Sequence, residues 1–348
     1  MEPRRYETNA CGLSEITERN MVRCRLCPRN CGVNRLAGER GYCGESAVIR
    51  AARASLHMWE EPCISGRRGS GTVFFTGCPL GCVYCQNGSI AKREKNADIN
   101  EADLSGNGNS ICESKGSISK RVEITPERLA EIFLEQQERG ANNINLVTPT
   151  HFAPQLVKSL TIAKDDGLTI PVVYNTGSYE KTETIRMLEG LVDVYLPDMK
   201  YMDADLARRY SNAPDYSETA KAAIAEMVRQ AGTPVFARGR EDVEDGIMLR
   251  GVIVRHLMLP GCMRDSKDVI NYLHSTYGNG IYISIMNQYT PVMGSIGGLY
   301  PELDRKITRR EYDRLVDYAI NLGMENGFIQ EGETAEESFI PVFDGRNI

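Results

Sequence analysis

The segment Gly77-Cys78-Pro79-Leu80-Gly81-Cys82-Val83-Tyr84-Cys85-Gln86-Asn87 follows directly on the apolar run Thr72 to Thr76 and carries cysteines at Cys-x-x-x-Cys-x-x-Cys spacing. Three thiolates on one tight loop can hold three corners of a 4Fe-4S cube, and the fourth iron is then left without a protein ligand. Clusters that only carry electrons usually take four cysteines, so this spacing reads as a place for substrate chemistry. The glycines at 77 and 81 suit a backbone folded closely around a bulky inorganic core, because Gly adopts positive φ and tolerates close approach. Pro79 stiffens the same loop.

Beyond this loop, β-rich runs recur at Thr72 to Thr76, Asn143 to Val147, Pro171 to Tyr174, Val192 to Leu196, Gly251 to Leu257 and Ile281 to Ile285. Between them lie stretches with helical character: Pro126 to Arg139, Phe152 to Lys164, Glu180 to Leu188, Ser217 to Gln230 and Asp265 to Thr276. Thr125-Pro126 supplies an N-cap followed by proline at the first helical position. Alternating strands and helices predict an α/β fold with a parallel sheet, and near-continuous apolar strands predict one covered on both faces. Six βα units predict a partial (β/α)6 barrel.

In such architectures chemistry gathers at the carboxyl ends of the strands. The cysteine loop follows the first run. The next ends carry Thr148-Pro149-Thr150-His151, Asn175-Thr176-Gly177-Ser178-Tyr179 and Pro197-Asp198-Met199-Lys200-Tyr201. The fifth run contains Arg255 and His256, of which one faces the interior because side chains alternate along a strand. Every one of these ends is polar or titratable.

With 348 residues and 41% apolar content, the chain can bury one large α/β core and a smaller appendage. A formal charge of −6 with dispersed Lys and Arg argues against a nucleic-acid surface, which needs a basic stripe. No run approaches a membrane span, and Met1-Glu2-Pro3-Arg4-Arg5 lacks the apolar core of a signal peptide, so a cytoplasmic location without membrane attachment is expected. In that reducing setting eleven cysteines point to metal ligation rather than disulfides.

Four cysteines form a second group: Cys24, Cys27 and Cys31 in Cys24-Arg25-Leu26-Cys27-Pro28-Arg29-Asn30-Cys31, then Cys43 in Gly41-Tyr42-Cys43-Gly44. A Cys-x-x-Cys turn with further cysteines nearby can complete a closed four-thiolate site. Zinc is the first reading, a second iron-sulfur cluster the alternative, and reduced cysteines without metal the bland one. The chain thus divides into a cysteine-rich metal-binding region (1–66), the barrel (67–305) and a C-terminal helix and tail (306–348). A polar, glycine-rich insertion at about 95–120 reads as a mobile loop. Thr308 to Leu322 reads as a charged helix, and Gly327 to Ile348 as an irregular tail carrying Glu331, Glu333, Glu336 and Glu337.

The three-cysteine loop and the polar strand ends resemble the radical S-adenosylmethionine (SAM) enzymes, and are similar to the pyruvate formate-lyase activating enzyme and its relatives. Within these, the cysteine-rich head, the stretch His57-Met58-Trp59-Glu60-Glu61-Pro62-Cys63-Ile64-Ser65-Gly66 and Gly327-Phe328-Ile329-Gln330-Glu331 resemble an activase-related branch. The resemblance implies a partial barrel with a small cysteine-rich extension. It implies Cys78, Cys82 and Cys85 as cluster ligands and SAM held on the remaining iron by its amino and carboxylate groups. Reductive cleavage would then give a 5′-deoxyadenosyl radical that abstracts hydrogen from a substrate, a protein glycine if the activase likeness extends that far, another peptide or small metabolite otherwise. The cofactor carries the hard chemistry and the protein positions it. A low-potential donor of the flavodoxin or ferredoxin type is implied as partner.

By the same resemblance Lys200 of Asp198-x-Lys200 contacts the cofactor carboxylate, a task suited to a point charge with three donors. Two residues apart on a strand, both side chains can share a face; the bland alternative is a surface pair. Arg255 or His256, Asn175, Thr176 and Thr148 complete the expected cofactor-binding set. Two positions depart from the pattern: Thr148-Pro149-Thr150-His151 stands where many relatives have Gly-Gly-Glu, and Asn175 stands where activases have an aspartate near a monovalent cation. His151 reads as substrate-side or orienting. From another class, the alternative is a non-catalytic metal-binding module that docks a partner.

Overall fold

Ten strands form one sheet among the described residues, which in this computed structural model are 19–91, 119–237, 246–291, 298–330 and 341–348. They are β1 (Ile49–His57), β2 (Ser70–Phe75), β3 (Val122–Ile124), β4 (Ile144–Val147), β5 (Val172–Thr176), β6 (Val194–Pro197), β7 (Val235–Phe236), β8 (Met248–Leu257), β9 (Tyr282–Met286) and β10 (Gly327–Ile329). Their spatial order is β10-β9-β8-β6-β5-β4-β2-β1-β3, with β7 beside β8. From β2 to β10 each neighbouring pair is parallel. β1 pairs antiparallel with both β2 and β3, and the sheet does not close on itself. The fold is an α/β partial barrel.

Each of the six predicted runs is a strand, displaced by at most a few residues. β2, β4, β5 and β6 are buried along their whole length, as expected when helices and side chains cover both faces. Two readings are corrected. The segment from Gly327 is not irregular throughout: β10 pairs in parallel with β9 and adds a seventh parallel strand. Ile49 to His57, read only as part of the cysteine-rich head, is the longest contact of β2. Its Ala51-Ala52-Arg53-Ala54 core favours helix intrinsically, and a register irregularity between Ala51 and Arg53 accommodates it in the sheet.

The flanking helices are α1 (Pro126–Glu138), α2 (Ala153–Asp165), α3 (Thr182–Arg186), α4 (Ala204–Ser211), α5 (Tyr216–Ala231), α6 (Met263–Tyr277) and α7 (Arg309–Asn321). Thr125 caps α1, its side chain accepting from the Arg128 N–H, and Leu129, Ile132 and Phe133 face the core. α7 opens with a reciprocal Thr308 and Glu311 capping box and packs on α6. The insertion at about 95–120 and the acidic stretch Glu331 to Glu337 lie outside the described residues. No helix among the described residues is long and apolar enough to cross a membrane.

Because the strands are parallel, their carboxyl ends emerge on one side. The cysteine loop, Thr148, Asn175 and Asp198 therefore face a common space.

Candidate active site

The cysteine loop leaves β2 through Gly77 and turns again at Gly81, with φ of 77° and 70°, a region that side chains rarely tolerate. Burial pushes the Cys78 thiol up, and it pushes Cys85 up to about 12, with the neighbouring thiols adding to each shift. A cationic metal centre is the kind of partner that reverses such shifts. Donors already face the sulfurs. The Leu80 N–H points at Cys78 Sγ at 3.4 Å, and Ser211 Oγ donates to Cys82 Sγ at 3.1 Å. Ser211 belongs to a chain of hydroxyls: Tyr201 Oη lies 2.9 Å from Ser211 Oγ and 2.6 Å from Tyr84 Oη, and Tyr84 is itself in the cysteine motif. Among the described residues no three Cys, His, Asp or Glu side chains stand at metal-holding spacing, and this holds for both cysteine groups alike.

Cys78, Cys82 and Cys85 line a cavity of about 560 Å³, within the usual size for a small-molecule site. Thr148, Asn175, Thr176, Asp198, Lys200, Arg255 and Glu60 also line it. Arg255 is the hub of their polar network. Its Nε donates to Asp198 Oδ1 (2.9 Å), its Nη1 to Glu60 Oε2 (3.1 Å) and its Nη2 to Asn175 Oδ1 (2.6 Å). Lys200 Nζ donates to Asp198 Oδ2 at 2.6 Å, so Asp198 is held by two cations. These four charged side chains are only 10–15% exposed. Burial opposes the charge on Asp198, yet Arg255 and Lys200 hold its carboxyl below the ordinary range. Burial likewise opposes the charge on Lys200, and Asp198 reverses this and holds the ammonium above its usual value. Burial pushes Glu60 up, with Arg255 and the Asn145 amide opposing. Such pairs survive burial when further hydrogen bonds support them, as Arg255 does for Asp198 and Glu60 here.

The backbone sets these positions. Tyr216 Oη accepts from the Lys200 N–H and shares its one proton between the carbonyls of Gly177 and Asp198, tying two strand ends together. Thr148 has φ of 57°, uncommon for a β-branched residue, and its N–H donates to Asn175 O at 2.9 Å. Strain of this kind at a strand end fits a site in use.

The predicted residues therefore divide. Asp198 and Lys200 share a face and form a part-buried pair rather than a surface one. Arg255 takes the interior position. His256 is corrected: it points away from the cavity, its Nδ1 is 2.8 Å from Met199 O, and burial lowers it to about 4. His151 is also buried, with Nε2 2.7 Å from Thr76 O, so it orients the end of β2 and does not line the cavity. Asn175 spends its carbonyl oxygen on Arg255, and the guanidinium provides the positive charge at this point. Glu60 was not among the predicted residues. It follows β1 and is fixed by Ser65, whose Oγ accepts from the Glu60 N–H at 3.0 Å. The one signal for it was the acidic pair Glu60-Glu61 ahead of Pro62 in the quoted stretch.

Residues 72–249 match the radical SAM superfamily, and the chain belongs to that superfamily. Membership implies a 4Fe-4S cluster and SAM as cofactors. An uncharacterized protein of Methanocaldococcus jannaschii is 25% identical over 308 residues, covering 88% of this chain and 76% of that protein. Among solved structures, SuiB of Streptococcus suis bound to S-adenosylmethionine has a TM-score of 0.45 at 16% identity, over 73% of this chain and 48% of SuiB. This chain thus spans about half the length of SuiB. Methylornithine synthase (PylB) has a TM-score of 0.41 at 15% identity, over 72% of this chain and 67% of that one.

Proposed function

We propose that this protein is an activase-like radical SAM enzyme in which Cys78, Cys82 and Cys85 hold the cluster and the Asp198, Lys200, Arg255 and Glu60 network receives the polar end of SAM. The observation that supports this most is the cavity itself, which sets a three-thiol loop against a buried network of two carboxylates and two cations. The donor set fits the group: three sulfurs on one loop, with N–H and O–H donors to two of them. When bound, cluster and SAM supply one-electron cleavage of the sulfonium and, with it, hydrogen abstraction from carbon.

The chain's residues do the positioning. Lys200 offers an ammonium to the cofactor carboxylate, and Asp198 and Glu60 offer acceptors to its amino group, with Arg255 fixing both carboxylates. Thr148 and Asn175 supply a hydroxyl and an amide group along the same wall, whereas the Thr176 hydroxyl donates to the buried Glu180 carboxylate. The substrate class named by the resemblance is a glycine of a partner protein, and the reductant is a low-potential flavodoxin- or ferredoxin-type protein. Anaerobic incubation of the iron- and sulfide-reconstituted protein with reductant, SAM and deuterated glycine-containing peptides tests this. Deuterium in 5′-deoxyadenosine is the expected result. Cleavage of SAM without deuterium transfer from any glycine would reject the substrate, and no 5′-deoxyadenosine at all would reject the chemistry.

A further inference from the structure

Among the described residues, the segment that carries the four cysteines of the head has a small core. Its apolar cluster consists of Met21, Cys24 and Leu26, with Val33 and Ala47 packed against it. A unit this small needs a staple. Two backbone turns carry its cysteines. The first is closed by Cys24 N–H to Val33 O and Gly32 N–H to Cys24 O, both 2.9 Å, and holds Cys24, Cys27 and Cys31. The second is closed by Gly44 N–H to Gly41 O at 3.0 Å and holds Cys43. The turns meet at Cys31: the Tyr42 N–H points at its Sγ at 3.2 Å, and a Cβ on Gly41 would lie 2.8 Å from that sulfur. Cys24, Cys27 and Cys43 are buried.

The head also grips the cluster loop. Arg29, between Cys27 and Cys31, donates from Nε to Pro79 O (2.8 Å) and from Nη2 to Leu80 O (3.1 Å) and Ser211 O (2.9 Å). Its guanidinium lies 3.8 Å from the centre of the Tyr42 ring. A Cβ on Gly77 would lie 2.7 Å from Cys43 O, and one on Gly81 would lie 3.2 Å from Tyr42 Oη. Both glycines of the cluster loop therefore pack directly on the head.

We propose that Cys24, Cys27, Cys31 and Cys43 close a four-thiolate zinc site and that Arg29 transmits its fixed shape to the cluster loop. The close approach of Gly41 to Cys31 favours a single ion over a bulky cube, and four thiolates around one ion suit zinc. The bracing half of the proposal rests on Cys78, Cys82 and Cys85 being the cluster ligands; the zinc half does not.

The test uses the full chain with all three of those cysteines changed to Ala, purified without added metal. Elemental analysis should find about one zinc per chain, with X-ray absorption showing four sulfurs at about 2.3 Å. Iron with inorganic sulfide in this variant, or a folded chain without metal, would overturn the zinc site. Because the variant lacks the cluster ligands, this result stands apart from the catalytic reading. Arg29→Ala in the otherwise intact, reconstituted protein should keep its zinc and release cluster iron to a chelator at least on the order of tenfold faster, since it loses three charge-assisted hydrogen bonds and even one is worth about that much. Arg29→Lys should not restore the rate, since an ammonium cannot bridge several carbonyls in a fixed plane. Wild-type iron release from Arg29→Ala with zinc retained would overturn the brace.

Discussion

The two cysteine groups use the same ligand and differ in what completes them. In the head, two adjoining turns carry four cysteines, the Tyr42 N–H faces Cys31 Sγ, and Gly41 packs directly against that sulfur. In the barrel, three cysteines on one loop line a cavity that is also walled by Asp198, Lys200, Arg255 and Glu60. The difference teaches how a ligand count separates structure from chemistry: a complete set closes a site, and an incomplete one facing a charged network leaves a place for a small molecule.

Cys82→Ala should break the contrast most severely. Removing one of three ligands is expected to take reconstituted iron from about four per chain to background, measured by iron and sulfide assay, with zinc unchanged. Iron retained in this variant would assign the cluster to the head. The next largest effect is expected from Arg255→Met, which leaves Glu60 and Asp198 buried without their shared cation. A loss of roughly 3–5 kcal/mol is typical of such a broken pair, read from anaerobic urea unfolding. Adding Glu60→Leu should recover part of it, whereas additive losses would show that the two residues do not act together.

Lys200→Met bears on the open side alone. It should weaken SAM binding in equilibrium dialysis by roughly 1.5–3 kcal/mol, the worth of a hydrogen bond from a charged donor, and leave metal content at both sites intact. Unchanged affinity would remove Lys200 from the cofactor wall. The smallest change is expected from Ser211→Ala. The Ser211 hydroxyl donates to Cys82 Sγ, a contact that favours the more negative, reduced cluster. Its loss should lower the midpoint potential by about 60 mV, the one-electron equivalent of a tenfold change in equilibrium, in a titration followed by electron paramagnetic resonance. An unshifted potential would leave Ser211 a packing residue.

Much of this was legible in the amino-acid sequence because it depends on local pattern. β2, β4, β5 and β6 are near-continuous apolar runs, and the cysteine spacing and the Asp198-x-Lys200 pair lie within single segments. What escaped depends on distance. Glu60 meets Arg255 across 195 residues and Ser211 meets Cys82 across 129, and neither pairing leaves a local trace. The choice between Arg255 and His256 was open because alternation fixes that the two point apart, not which one faces in; the register of β8 with β9 and the bridge from Arg255 to Asp198 settle it. β1 and β10 were missed because one is Ala-rich and the other three residues long.

On the proposed function, a cluster on Cys78, Cys82 and Cys85 keeps one position open to SAM. Electron paramagnetic resonance of the reduced, reconstituted protein with and without saturating SAM tests it most directly. The account predicts that SAM shifts the cluster signal in the wild type, while Cys82→Ala gives no signal to shift. A full-intensity signal that is identical with and without SAM would contradict it and make both cysteine groups structural.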